Sequence, residues 1–142
     1  MREEEYGVGP TKVELTEAYA EWLARYEWDW FVTLKFNGNP SRHRADKLFR
    51  AWVSEIELSN QHPIRWARVA ERGAFGDHLH FHVLVGGLRK KLYNPWKRRW
   101  LELGRGIDLR EYSPDLKGIF YILKSADPEA DFDIDMHLPP LP

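Results

Sequence analysis

Cysteine is absent from the 142 residues, which rules out a disulfide framework and a thiolate metal site. No run approaches the ~20 consecutive apolar residues that cross a bilayer. The opening stretch, MREEEYGVGP, is acidic and holds no apolar run, so it does not read as a secretory signal. There is no internal repeat and no long linker. These absences lead us to expect a cytoplasmic protein, or a viral one that acts in the cytoplasm. What the chain does have is apolar content: 43% hydrophobic and 14% aromatic residues, enough for a packed core. Its length suits one domain.

The chain also has little net charge, formally −1, but that figure hides an uneven distribution. From Asp127 onward come five acids (Asp127, Glu129, Asp131, Asp133, Asp135) and no Lys or Arg, so the body before them is net positive. Between Arg89 and Arg110 lie eight bases (Arg89, Lys90, Lys91, Lys97, Arg98, Arg99, Arg105 and Arg110), opposed by Glu102 and Asp108 alone. Such a local excess suits a phosphate backbone, or else a solvated helix face.

Apolar periodicity predicts a helix near 15–27, with Leu15, Tyr19, Trp22, Leu23 and Tyr26 on one stripe. Residues 30–36 alternate as a strand that Asn37-Gly38 breaks. Ser41 is the expected N-cap of a second helix, whose apolar set is Ala45, Leu48, Phe49, Trp52, Val53 and Ile56. Strands at about 64–71 and 77–85 would form a hairpin. Asn94-Pro95 would open a short basic helix that Gly104 closes, and 107–112 would be a strand. Ser113-Pro114 would start a last helix reaching about Ser125. This α-β-α-β-β-α-β-α order predicts an α+β fold: an antiparallel sheet of four to five strands with helices mainly on one face. We expect residues 1–126 to form the domain and 127–142 an acidic, proline-ended tail without structure.

The stretch His78-Leu79-His80-Phe81-His82-Val83 carries the chemistry. On a strand the three imidazoles share one face, and the apolar residues between them face the core. If the hairpin loop has an even residue count, Glu71 falls opposite His78 or His80 on that same face. Two imidazole nitrogens and a carboxylate would leave positions open on a divalent ion, as catalytic sites do. In the last helix Leu116, Ile119, Phe120 and Leu123 form an apolar stripe, while Tyr121 sits between Lys117 and Lys124. Those cations would lower the phenol pKa and steady a phosphate near its oxygen, unless Tyr121 simply packs at the sheet boundary.

Three motifs in order resemble the HUH endonuclease superfamily, in particular the rolling-circle replication initiators of small plasmids and viruses. They are the strand Trp30-Phe31-Val32-Thr33-Leu34-Lys35-Phe36, then Glu71 followed through Gly73 and Gly76 by His80-Phe81-His82, then Tyr121-Ile122-Leu123-Lys124. The resemblance covers roughly residues 28 to 126 and implies a ferredoxin-like or RRM-like nuclease fold. It implies that Glu71, His80 and His82 hold Mn²⁺ or Mg²⁺ and that Tyr121 cuts single-stranded DNA, keeping a 5′-phosphotyrosine link and freeing a 3′-hydroxyl. Lys124 would position the phosphate or stabilise the developing charge. His78 offers a second His-x-His frame and would be a third imidazole ligand or a DNA contact. A single tyrosine in the third motif implies a single-tyrosine enzyme.

DNA, single-stranded or in a hairpin at a replication origin, would lie on the sheet face and against Lys35, Lys90, Lys91, Lys97, Arg98, Arg99 and Lys117. Trp96 or Trp100 in the basic helix could stack on a base. The chain leaves no room for a helicase, so a host helicase and polymerase are the expected partners, with a second copy of the chain as a homodimer partner. Two other readings stay open. One is a strand-transferring transposase or relaxase-like enzyme of the same chemistry; the other is a catalytically inactive nucleic-acid-binding module.

Overall fold

The computed structural model describes residues 18, 20–72, 78–89, 93–113 and 131–139. Strand β1 is Trp30–Lys35, helix α1 Arg42–Asn60, strand β2 Arg65–Arg72 and strand β3 His80–Gly86. Helix α2 is Tyr93–Leu103, strand β4 Ile107–Glu111 and strand β5 Asp131–His137. The five strands form one sheet in the order β4-β1-β3-β2-β5, every neighbouring pair antiparallel. The fold is α+β, with α1 and α2 on one face of the sheet.

Local signals account for the helices. The Ser41 hydroxyl accepts the Arg44 N–H at 3.2 Å, satisfying one donor that the first turn of α1 leaves unpaired. The stripe Ala45, Phe49, Trp52, Val53 and Ile56 is buried against the sheet. At its far end Gln61 turns left-handed (φ 60°) and donates its N–H to the Glu57 carbonyl. Helix α2 ends at Gly104, where a Cβ would stand 2.6 Å from the Trp100 indole; only glycine lets the chain turn there over that ring.

Alternation divides the strands between two faces. Trp30, Val32 and Leu34 of β1, Phe81, Val83 and Val85 of β3, and Trp66 of β2 meet α1 and Trp100 of α2 in the main core. Its rings meet edge to face, Phe49 on Trp66 at 5.0 Å and Trp52 on Trp100 at 5.8 Å. Burying each such large side chain stabilises the fold by roughly 1.5–3 kcal/mol. On the opposite face Ala67, Val69 and Leu84 form a smaller cluster with Ala20, Leu23 and Trp28. The backbone is helical at 20–23, and Trp28 Nε1 donates to the Leu23 carbonyl at 2.9 Å. Trp22, expected on the buried stripe of that helix, is instead 38% exposed.

One expectation is corrected. The acidic segment expected to trail as an unstructured tail supplies β5, which pairs with β2 from Trp66↔His137 to Arg72↔Asp131. An ion pair explains part of this. Arg68 of β2 lies on the core face, 2% exposed, donating to Asp46 of α1 at 2.7 Å and to Asp135 of β5 at 3.1 Å. Burial lowers the Arg68 pKa, and the Asp46 hydrogen bond opposes that shift. A guanidinium this deep needs its carboxylates, and β5 brings one of them. The expected helix from Ser113-Pro114, with Tyr121, Lys124 and Lys117, lies outside the described residues, as do the hairpin loop 73–77 and Lys90 and Lys91.

Candidate metal centre

The face opposite the two helices carries the polar cluster. Strand register places Lys35, His80 and Glu71 side by side across β1, β3 and β2, and Thr33, His82 and Val69 in the next row. The Glu71↔His80 pair resolves the parity left open by the sequence. Oε2 of Glu71 lies 3.5 Å from Nε2 of His80 and 3.5 Å from Nε2 of His82. The two imidazoles stand nearly perpendicular (88°), their centroids 4.9 Å apart. Among the described residues Glu71, His80 and His82 form a group of potential ligand atoms within 4.8 Å of one another.

These separations suit one cation. Ligand atoms at about 2.1 Å from an ion, at right angles, lie about 3 Å apart, and both Glu71–imidazole separations are within about half an ångström of that. The ring orientations are already set. His80 Nδ1 lies 3.3 Å from the His78 carbonyl and His82 Nδ1 lies 3.2 Å from the Thr33 hydroxyl. A proton on each Nδ1 satisfies both contacts and leaves both Nε2 lone pairs facing Glu71. Burial, with the neighbouring His80 charge second, pushes the His82 pKa down to about 4, so that ring is neutral and able to ligate at pH 7.

Thr33 is the residue the sequence reading did not assign. It was read there as part of the β1 motif; its place on the polar side of β1, opposite His82, was the available signal.

His78 stands apart from the group. Its Nδ1 meets the Gly38 carbonyl at 2.7 Å, tying the start of β3 to the loop after β1. Of the expected DNA contacts, Lys35 alone lies on this face among the described residues, exposed and paired in register with His80. Lys97, Arg98 and Arg99 are on α2, in the helix layer on the other side of the sheet. Arg99 is engaged there by Glu55 at 2.6 Å and Glu102 at 2.9 Å. Trp100 is fully buried and donates Nε1–H to the Lys35 carbonyl, so it cannot stack on a base; Trp96 is half-buried. Tyr112 shares the polar face but falls beyond the far end of β4, two rows past Thr33↔Asp108, and burial raises its pKa.

Comparison with family models, curated proteins and solved structures found no match to this chain. No helix among the described residues is long and apolar enough to cross a membrane.

Proposed function

We propose that the protein is a cytoplasmic, metal-dependent nicking and joining enzyme for single-stranded DNA, of the HUH type, initiating rolling-circle replication. The observation that carries this reading is the convergence of Glu71 Oε2 with Nε2 of His80 and His82 on the sheet face opposite α1 and α2. Two imidazoles and one carboxylate would hold a cation that could then take a phosphate oxygen.

Glu71, His80 and His82 are the ligands in this reading, and Thr33 fixes the His82 ring. A bound Mn²⁺ or Mg²⁺ supplies polarisation of the scissile phosphate. Tyr121 Oη attacks phosphorus, its proton passing to solvent, and the 3′-oxygen leaves and is protonated to a free hydroxyl. The tyrosine keeps the 5′-phosphate as an ester, whose bond energy allows a later 3′-hydroxyl to reseal the strand. Lys124 and Lys35 are the cations for the phosphate, Lys35 because it is His80's neighbour in the sheet.

The test is incubation of the full chain with single-stranded oligonucleotides and Mn²⁺, followed by a denaturing gel. A covalent protein–DNA band is expected, lost with EDTA, with Tyr121→Phe and with His80→Ala/His82→Ala. DNA binding without cleavage under any divalent metal would instead favour an inactive binding module.

A further inference from the structure

Lys97, Arg98 and Arg99, in the basic segment after β3, find no role at the Glu71–His80–His82 face, because α2 lies in the opposite layer. Where that segment begins, beside the C-terminal end of α1, there is a cavity of about 270 Å³. Ile56, Leu88 and Trp96 give its apolar lining, and Asn60, Gln61 and Arg89 its polar lining.

Asn60 builds the cavity rather than serving it. It is 7% exposed, and its amide donates to the His62 and Gly87 carbonyls at 3.2 and 3.0 Å while its oxygen accepts the Arg89 N–H at 2.7 Å. The end of α1 and the stretch after β3 are thereby fixed to each other around the opening, so the cavity is preformed. Gln61 and Arg89 are exposed at it. Gln61 holds a left-handed φ of 60° at a helix end where glycine is favoured, so the chain keeps a side-chain amide there at a backbone cost.

We infer that this cavity binds one unpaired base of a nucleic-acid strand. An aromatic wall holds a base by its face, a primary amide reads a base edge, and a flanking cation holds the sugar-phosphate. Trp96, Gln61 and Arg89, which all line the cavity, provide these in turn. At about 270 Å³ the cavity is large enough for a single base. From His80 to Gly86 the strand runs roughly 20 Å, so this base is not the nucleotide at the metal ligands, and the cavity opens on the other layer. The inference rests on the helix layer alone and requires neither metal nor cleavage.

The experiment titrates the full chain, ¹⁵N-labelled at its tryptophans and kept in EDTA, with dAMP, dGMP, dCMP and dTMP, and with deoxyribose 5-phosphate as the base-free control. The Trp96 indole signal, assigned by Trp96→Phe, is expected to shift with at least one nucleotide and not with the control. Gln61→Gly relaxes the left-handed backbone, so it is expected to melt no lower than the parent yet bind that nucleotide about tenfold more weakly. A Trp96 signal unmoved by every nucleotide overturns the inference. So does an equal shift with the base-free control, or unchanged affinity in Gln61→Gly.

Discussion

Thr33 touches no proposed substrate, yet its hydroxyl sets how His82 presents Nε2 to Glu71. Replacing it with valine keeps the shape and removes the hydrogen bond. Thr33→Val is expected to weaken Mn²⁺ binding by about 10- to 100-fold in calorimetry, with Thr33→Ser restoring most of it. Equal affinity in all three proteins would remove Thr33 from the site. His82 also makes the metal-free fold pH-sensitive. An unfolded imidazole takes up a proton near 6.5, whereas the buried ring resists until about 4. Between those values the unfolded chain binds more protons, so stability falls as pH drops through that window and is flat above it. Urea midpoints measured in EDTA should show this slope, and His82→Gln should lose it. At this scale the sequence was legible wherever two-residue periodicity governs, as for His80 and His82. It left His78 ambiguous because face alone does not set distance: His78 shares the parity but bonds the Gly38 carbonyl.

Among the elements, β5 shows what a charge count conceals. The alternation Asp131-Phe132-Asp133-Ile134-Asp135-Met136 is a strand pattern, but its acids and the prolines after it made the segment read as a solvated end. Part of what holds it on the sheet is a long-range partner, buried Arg68, which no local pattern reveals. Asp46 holds Arg68 more closely than Asp135 does and is the less exposed of the two. Asp46→Asn is therefore expected to cost about 3 kcal/mol in urea unfolding, within the range for breaking a buried pair. Asp135→Asn should cost less, about 1 kcal/mol. The reverse order would mean that β5, and not α1, anchors the guanidinium. Helix α2 was read correctly as a short basic helix closed by Gly104, but it begins at Tyr93, so Asn94 lies within it rather than capping it, and its side of the sheet was not legible. Trp100, a candidate base platform by sequence, is a core residue because its indole packs against Trp52 and Phe36.

For the whole molecule, strand parity and helix periodicity were enough to predict an antiparallel sheet with helices mainly on one face. Parity also assigned His80 and His82 to the open face and the apolar residues between them to the core, but it left Glu71 open until the Glu71↔His80 register fixed it. The sheet order β4-β1-β3-β2-β5 was not foreseen, and it puts the strand bearing both histidines in the centre, where neighbours on each side limit its movement. Rigid central strands hold a ligand set better than loops do. Metal added to the folded chain should therefore raise its melting temperature, by an amount that grows with metal concentration and vanishes in His80→Ala/His82→Ala. The proposed chemistry depends on Tyr121 reaching a phosphate at this face, and mass spectrometry of the trypsin-digested reaction tests that most directly. With single-stranded DNA and Mn²⁺, a nucleotide should be found esterified to the peptide Gly118–Lys124, which contains Tyr121, and be absent with EDTA or in His80→Ala/His82→Ala. Cleaved DNA with no nucleotide on that peptide, or with one on another tyrosine, would contradict it.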